Sequence, residues 1–267
     1  MINKVKIAWF GLHNGEEPPL TPAGTIFFTG CNLRCVFCQN WQISQKNLGQ
    51  FYSIDELAKI MLDLQKQGAV NIDLVTPTIW YKQIKQALIL AKQKGLRLPV
   101  VWNSNAYETI KILQEMKGLI DIYLPDFKYS DDRLAFKYSK IKNYTEIATT
   151  AIKEMLKQVG LLKLKNGVAQ SGLIIRHLIL PNNLDNTFDA LEKIAEINPK
   201  IHVSLMNQYS PMYQTKNFPE LTRAVSNDEF NQTYEYFKAV SLHGWIQDGQ
   251  SQKVLVPDFK KKNPFKK

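Results

Sequence analysis

Residues 24–41 read Gly24-Thr-Ile-Phe-Phe-Thr-Gly-Cys31-Asn-Leu-Arg-Cys35-Val-Phe-Cys38-Gln-Asn-Trp41. The apolar run before Gly30 predicts a strand, and three cysteines follow it at once in a C-x3-C-x2-C loop. A strand with chemistry directly after it is how parallel α/β folds display function, because the loops at the carboxyl ends of their strands gather at one edge. Outward from this point the alternation continues. Short apolar, β-branched runs at 25–29, 71–76, 100–103, 120–126, 173–180 and 202–208 predict six strands. Between the first two, Ser53-Ile-Asp-Glu56 is a capping box, and Ile54, Leu57, Ile60 (or Met61) and Leu64 form one apolar face before Gly68. The next helix carries Ile84, Ala87, Leu88 and Ala91 on one side, with Gly95 after it. Further helices are predicted over 106–116, 144–159, 184–197 and 227–240, the last opened by a second box, Ser226-Asn-Asp-Glu229. A right-handed βα succession of this kind closes into a barrel or an open part of one.

The 267 residues suit one such barrel, or two compact domains. Hydrophobic residues at 45% and charged residues at 22% exclude a disordered chain, a collagen or a coiled coil. No run of roughly 20 apolar residues exists and the start lacks a signal-peptide pattern, so the expected location is cytoplasmic, with no membrane partner. The formal charge is +10, but residues 260–267 hold five lysines. The body is therefore only mildly basic, and the expected organisation is a cap segment at 1–24, a barrel at 25–245 and a basic, solvated tail at 246–267. Residues 1–24 and 209–223 read as irregular loops, either covering the mouth or plain surface.

Three cysteines within eight positions cannot be a disulfide framework. Soft thiolates so closely spaced bind zinc or an iron–sulfur cluster. Structural zinc wants four protein ligands, whereas there is no fourth cysteine, and His13, His177, His202 and His243 are all remote in sequence. Three cysteines on a [4Fe-4S] cubane leave one iron open, which is a place to hold a substrate or cofactor.

The cysteine loop resembles the cluster motif of radical S-adenosylmethionine (SAM) enzymes, including Phe37 before the last cysteine. Together with Val75-Thr-Pro-Thr78, Asp121-Ile-Tyr-Leu-Pro-Asp-Phe-Lys-Tyr129 and Ile175-Arg-His-Leu-Ile-Leu-Pro181, it resembles the branch related to pyruvate formate-lyase activating enzyme, in its PflX-type paralogues. The resemblance spans roughly residues 15–213 and implies a single-domain α/β fold, a partial (β/α)6 TIM-like barrel. It implies a [4Fe-4S] cluster on Cys31, Cys35 and Cys38, with SAM on the open iron cleaved to methionine and a 5′-deoxyadenosyl radical that abstracts hydrogen. The backbone around Phe37 would flank the adenine. Thr76, Pro77 and Thr78 stand where the family has Gly-Gly-Glu, so carbonyls and hydroxyls would replace the glutamate in receiving the SAM ammonium; a Pro turn ending a strand is the plainer reading. Asn103, Ser104 and Asn105 stand where activating enzymes have Asp-Thr-Asn. Asp126 and Lys128 match an Asp-x-Lys motif that would contact ribose, methionine or a carboxylate, or would simply pair with each other. Of Arg176 and His177, adjacent on a strand, only one can face the barrel, and the resemblance favours His177 on ribose or adenine; a satisfied core histidine is the alternative. Trp41, Tyr209, Glu16 and Glu17 would contact substrate or stand as solvated loop residues.

The implied partners are a protein or peptide substrate and an external electron donor of flavodoxin or ferredoxin type. Relatives carry a further cysteine-rich segment before the barrel; with three cysteines in all, no auxiliary cluster is expected here. Two other functions stay open: an RNA-modifying radical SAM enzyme using the basic tail, and a nonenzymatic zinc or iron–sulfur module.

Overall fold

In the computed structural model, which describes residues 3–247 and 256–266, strands and helices alternate along the chain. The strands are β1 (Lys4–His13), β2 (Ala23–Phe28), β3 (Gln50–Ser53), β4 (Asn71–Val75), β5 (Val100–Ser104), β6 (Ile122–Pro125), β7 (Lys163–Lys165), β8 (Val168–Leu178), β9 (His202–Met206) and β10 (His243–Gln247). The helices are α1 (Trp41–Ser44), α2 (Ile54–Lys66), α3 (Tyr81–Gln93), α4 (Ile110–Met116), α5 (Asp132–Ser139), α6 (Tyr144–Val159), α7 (Leu184–Ile197) and α8 (Asn227–Ala239). Both capping boxes form. Ser53 and Ser226 each accept the N–H of the glutamate three residues on, and each glutamate takes the serine N–H in return.

β2, β4, β5, β6, β8, β9 and β10 run parallel, in that spatial order. β1 and β3 extend the sheet antiparallel beyond β2, and β3 and β10 are its free edges. The sheet is open, the partial barrel predicted, with all six expected strands present and β10 as a seventh parallel one. The unforeseen strands carry weak signals: β3 and β7 are four and three residues long, and β10 has only Trp245 and Ile246 as an apolar run, with Gly244 before them. α4 begins at Ile110 rather than 106 because Thr109 caps it, leaving residues 105–108 as loop.

Strand periodicity sorts the side chains into two cores. Ile72, Leu74, Trp102, Tyr123, Ile175, Val203 and Leu205 face the helices. Val101, Ile122, Leu124 and Ile174 face the lumen, where Leu20 joins them. Leu20 comes from the segment after β1, and this corrects the expectation for residues 1–24. Residues 4–13 are a sheet strand, legible in the alternation of Lys4 and Lys6 with buried Val5 and Ile7. Since β1 is antiparallel to β2, the chain leaves it at the amino ends of the parallel strands. Residues 14–22 therefore plug the barrel from the end opposite the cysteine loop, pinned by Asn71 Nδ2 donating to the Leu20 carbonyl at 2.8 Å.

Residues 209–223 pack on the cysteine loop: the Gln214 N–H donates to the Val36 carbonyl at 2.9 Å, and Tyr213 stacks on Trp41 at 5.5 Å. The solvated-tail expectation also changes. Residues 248–255 and 267 lie outside the described residues, but Phe259 and Phe265 pack on Trp9, Phe27, Ile43 and Val75, because two aromatic side chains gain more from burial than a frayed end gains in entropy. Gln42 holds this segment, donating to Asp258 at 3.0 Å and accepting the Phe259 N–H at 2.7 Å. Among the described residues, no helix is long and apolar enough to cross a membrane.

Leu20 is 1% exposed within the lumen core, so Leu20→Ala should cost about 2–5 kcal/mol in urea unfolding. Leu12→Ala, at 39% exposure on β1, should change it by less than about 0.5 kcal/mol; equal effects would count against the plug.

Candidate active site

The cysteine loop leaves β2 at its carboxyl end and is held from two further sides. Arg34 and Val36 N–H groups donate to the Ser139 and Tyr138 carbonyls at 3.0 and 2.8 Å, and Asn105 Nδ2 donates to Asn32 Oδ1 at 2.7 Å. The three thiols line one cavity of about 230 Å³, several times the roughly 30 Å³ of a water molecule. Each sulfur has a polar neighbour from the fold. The Leu33 N–H and Asn105 Nδ2 donate to Cys31 Sγ at 3.3 and 3.5 Å, Ser139 Oγ donates to Cys35 Sγ at 3.0 Å, and Ser44 Oγ sits 3.2 Å from Cys38 Sγ. Burial, together with the neighbouring Cys35, pushes Cys31 up to about 11 and Cys38 up to about 12, and burial raises Cys35 likewise. Without a cation the three are protonated thiols; a bound metal is what would make them thiolates.

The register of the parallel strands sets the rest of the cavity. Phe27 lies beside Val75, Val75 beside Asn103, and Asn103 beside Leu124, so the residues that follow these strands meet at one level. Phe37, Thr76, Asn103, Ser104, Asp126 and Lys128 all line the cavity with the cysteines. Thr76 is held at φ 58°, with its N–H on the Asn103 carbonyl at 2.9 Å. A β-branched residue in the left-handed region is strained, and such strain concentrates at functional sites. Lys128 Nζ meets Asp126 Oδ2 at 2.5 Å with both side chains mostly buried. Although burial lowers its basicity, Asp126 holds Lys128 above the ordinary lysine range. The Tyr144 hydroxyl fixes this turn, accepting the Lys128 N–H and donating to the Asp126 carbonyl, both at 2.8 Å.

Other expected contacts point elsewhere. Thr78 and Pro77 are buried and do not line the cavity. Thr78 Oγ1 donates to Glu108 Oε1 at 2.8 Å, Trp102 Nε1 donates to the same oxygen at 2.8 Å, and Ser104 Oγ donates to Glu108 Oε2 at 2.9 Å. Glu108, 3% exposed, thus ties the loops after β4 and β5 together and consumes the hydroxyls of Thr78 and Ser104. Nothing in the sequence marks Glu108 beyond its position after a strand.

His177 is corrected outright. It is fully buried on the helix side of β8, with Nδ1 2.7 Å from the Phe127 carbonyl and Nε2 3.1 Å from Thr187 Oγ1. A carbonyl only accepts, so Nδ1 carries the proton and Nε2 accepts from the threonine. Burial pulls its pKa down to about 4. Strand alternation instead turns Arg176 into the lumen, where it lines the cavity and donates to Glu17 Oε1 and Oε2 at 2.7 Å each. Glu17 has no exposed surface and Glu16 also pairs with Arg176, so neither is a solvated loop residue. Trp41 stacks with Tyr213, and Tyr209 is buried against Phe37 at 6.0 Å with its hydroxyl on the Leu221 carbonyl at 2.7 Å.

An open parallel barrel with three thiols and a set of strand-end polar groups around one cavity is a metallocofactor-binding architecture. The donor set suits an iron–sulfur cubane, in which each cysteine binds a different iron; among the described residues, no three His, Cys, Asp or Glu side chains converge on a single ion. Comparison with known proteins is consistent with this. The radical SAM superfamily model matches residues 25–191, and the chain belongs to that superfamily. It is 35% identical over 244 residues to the uncharacterized protein MJ0674 of Methanocaldococcus jannaschii, covering 86% of this chain and 66% of that one. It is 24% identical to MJ0808 of the same organism over 65% of this chain and 47% of that one. The chain thus spans 66% and 47% of the length of these relatives. Among solved structures, Streptococcus suis SuiB bound to S-adenosylmethionine superposes with a TM-score of 0.61 at 14% identity, over 82% of this chain and 48% of that one. Native anSMEcpe with bound AdoMet and Cp18Cys peptide gives 0.53 at 13% identity, over 82% and 60%. At these identities the likeness is one of fold.

His177 generates a pH prediction. Its folded pKa lies below its unfolded value of 6.5, so the unfolded chain takes up the proton first. Its contribution is therefore complete above pH 6.5 and shrinks as pH falls toward 4, by about 3 kcal/mol in total. The stability gap between wild type and His177→Gln in urea unfolding should narrow over that window; a gap independent of pH would show that His177 is not buried neutral.

Proposed function

We propose that this chain is a radical SAM enzyme that holds one [4Fe-4S] cluster on Cys31, Cys35 and Cys38 and binds SAM in the adjoining cavity to start hydrogen abstraction on a protein or peptide. The observation that carries this reading is the convergence of three thiols, Cys35 buried and Cys31 and Cys38 half-buried, with strand-end polar groups from β4, β5 and β6 on one chamber. When bound, the reduced cluster and SAM supply a 5′-deoxyadenosyl radical. The chain's own residues do the rest. Ser139, Asn105 and the Leu33 N–H donate to the cysteine sulfurs, and such hydrogen bonds ease reduction by spreading negative charge. Asp126 and Lys128, already paired at the rim, offer a carboxylate and an ammonium to the polar ends of SAM. The strained Thr76 peptide and Asn103 present backbone and amide groups in place of the family's Gly-Gly-Glu and Asp, while the hydroxyls of Thr78 and Ser104 hold the loops. Phe37 and its flanking backbone would wall the adenine.

A peptide substrate is supported by fold likeness. SuiB has been solved bound to precursor peptide SuiA, with a TM-score of 0.60 over 91% of this chain, and anSMEcpe with its Cp18Cys peptide. The closer kinship to glycyl-radical-activating enzymes rests on the motifs, and an electron donor of flavodoxin or ferredoxin type fits a cluster that must be reduced from outside.

Anaerobic reconstitution should load about four irons per chain, and dithionite with SAM should then release 5′-deoxyadenosine, with Cys35→Ala losing both. A single zinc per chain, or a Cys35→Ala variant that still releases the nucleoside, would refute the assignment.

A further inference from the structure

Across the lumen from the thiols, the same cavity has a second wall whose charges do not balance. Arg176 donates through Nε and Nη2 to both oxygens of Glu17, and Nη2 also meets Glu16. Asp73 approaches from β4. It is 1% exposed, neither of its oxygens has a hydrogen-bond partner, and the register sets it beside Thr25, whose buried hydroxyl is also unpartnered. Burial, with Glu16 close by, holds Asp73 well above the ordinary carboxylate range, so it stands beside this cluster as a neutral acid. Two carboxylates, Glu16 and Glu17, thus share one guanidinium. His13 Nε2 lies 3.8 Å from Glu16, but its burial works against its taking a proton and supplying a second positive charge. Unbalanced buried charge is costly, so a site of this kind gains from a cation brought in from outside.

The cavity reaches only one of the three acidic side chains. Glu16 lines it; Glu17 and Asp73 do not. Beside Glu16 the wall is aromatic, with His13 and Phe265 rings 4.2 Å apart and Phe27 and Phe265 rings 5.6 Å apart, all three residues lining the same space. A carboxylate next to aromatic faces suits an organic cation, which gains from both Coulomb attraction and ring quadrupoles. A bare metal ion fits less well, since no three acidic or imidazole groups converge here among the described residues.

We propose that this wall is the substrate subsite and that it receives a cationic group, an alkylammonium or guanidinium of the kind a lysine or arginine side chain carries, with Glu16 as counter-ion and Phe27 and Phe265 flanking it. The proposal rests on the cavity being the reaction chamber described above, and it narrows the substrate to a peptide bearing a positive side chain there.

The test uses the full chain, with and without reconstituted cluster, titrated with butylammonium and butylguanidinium chlorides and with neutral 1-butanol, binding being read by saturation-transfer NMR. Both cations should bind saturably and butanol at least tenfold more weakly. Glu16→Gln should weaken the cations at least fivefold, and Phe265→Leu, which leaves the charges untouched, several-fold, with thermal unfolding showing that each variant is folded. Equal binding of cations and butanol overturns the proposal, as does cation binding indifferent to both substitutions. Displacement of the cations by SAM overturns it too, by giving Glu16 to the cofactor. Because the cluster-free arm needs neither iron nor SAM cleavage, failure of the radical SAM reading would show in the iron and nucleoside measurements and leave this result standing.

Discussion

The site depends on the parallel register of β2, β4, β5 and β6. Because Phe27, Val75, Asn103 and Leu124 stand side by side, the turns that follow these strands emerge at one height, and the cysteine loop, Thr76, Ser104 and Asp126 share a cavity despite spanning about a hundred residues of sequence. A slip of one residue in any pair would exchange lumen and helix faces, sending Asn103 outward and Trp102 in. The two cores resist this, since β5 and β6 pack apolar residues on both sides.

The polar groups of the barrel fall into two kinds. Glu108, His177 and Tyr144 are buried with full sets of partners, and they brace the turns without reaching the cavity surface. Asp73 and Thr25 are buried without partners, next to a guanidinium already shared by two carboxylates. The first kind stabilises geometry through satisfied hydrogen bonds. The second leaves unsatisfied polar atoms beneath the cavity, a departure from the rule that buried polar groups are paired. Closing this interior takes two distant pieces of chain, residues 14–22 from the amino ends of the strands and residues 256–266 from the side, neither of which contributes a cysteine.

Much of the scaffold was legible beforehand. The capping serines, the apolar faces of α2 and α3 and the six long strands follow from local periodicity, and the C-x3-C-x2-C spacing identifies the chemistry because one loop must wrap one site. The errors share a cause. His177 and Arg176 could be assigned to opposite faces but not to the correct ones, because alternation sets relative and not absolute orientation. Thr78 read as a ligand contact until Glu108, thirty residues away, claimed its hydroxyl. Glu16 and Glu17 read as loop residues because nothing nearby shows that their partner lies about 160 positions on. Phe259 and Phe265 were hidden among lysines, and only the aromatic cluster on β1 and β2 reveals where they are buried.

Sequence by itself determined the kind of protein: an α/β succession with three thiols after its first parallel strand, since periods of two and 3.6 and a short cysteine spacing are local facts that folding does not alter. Tertiary structure alone decided which polar side chains meet, which face the lumen and which are buried without a partner. Those outcomes depend on contacts between residues tens to hundreds of positions apart, and such contacts exist only once the strands have closed around a common interior.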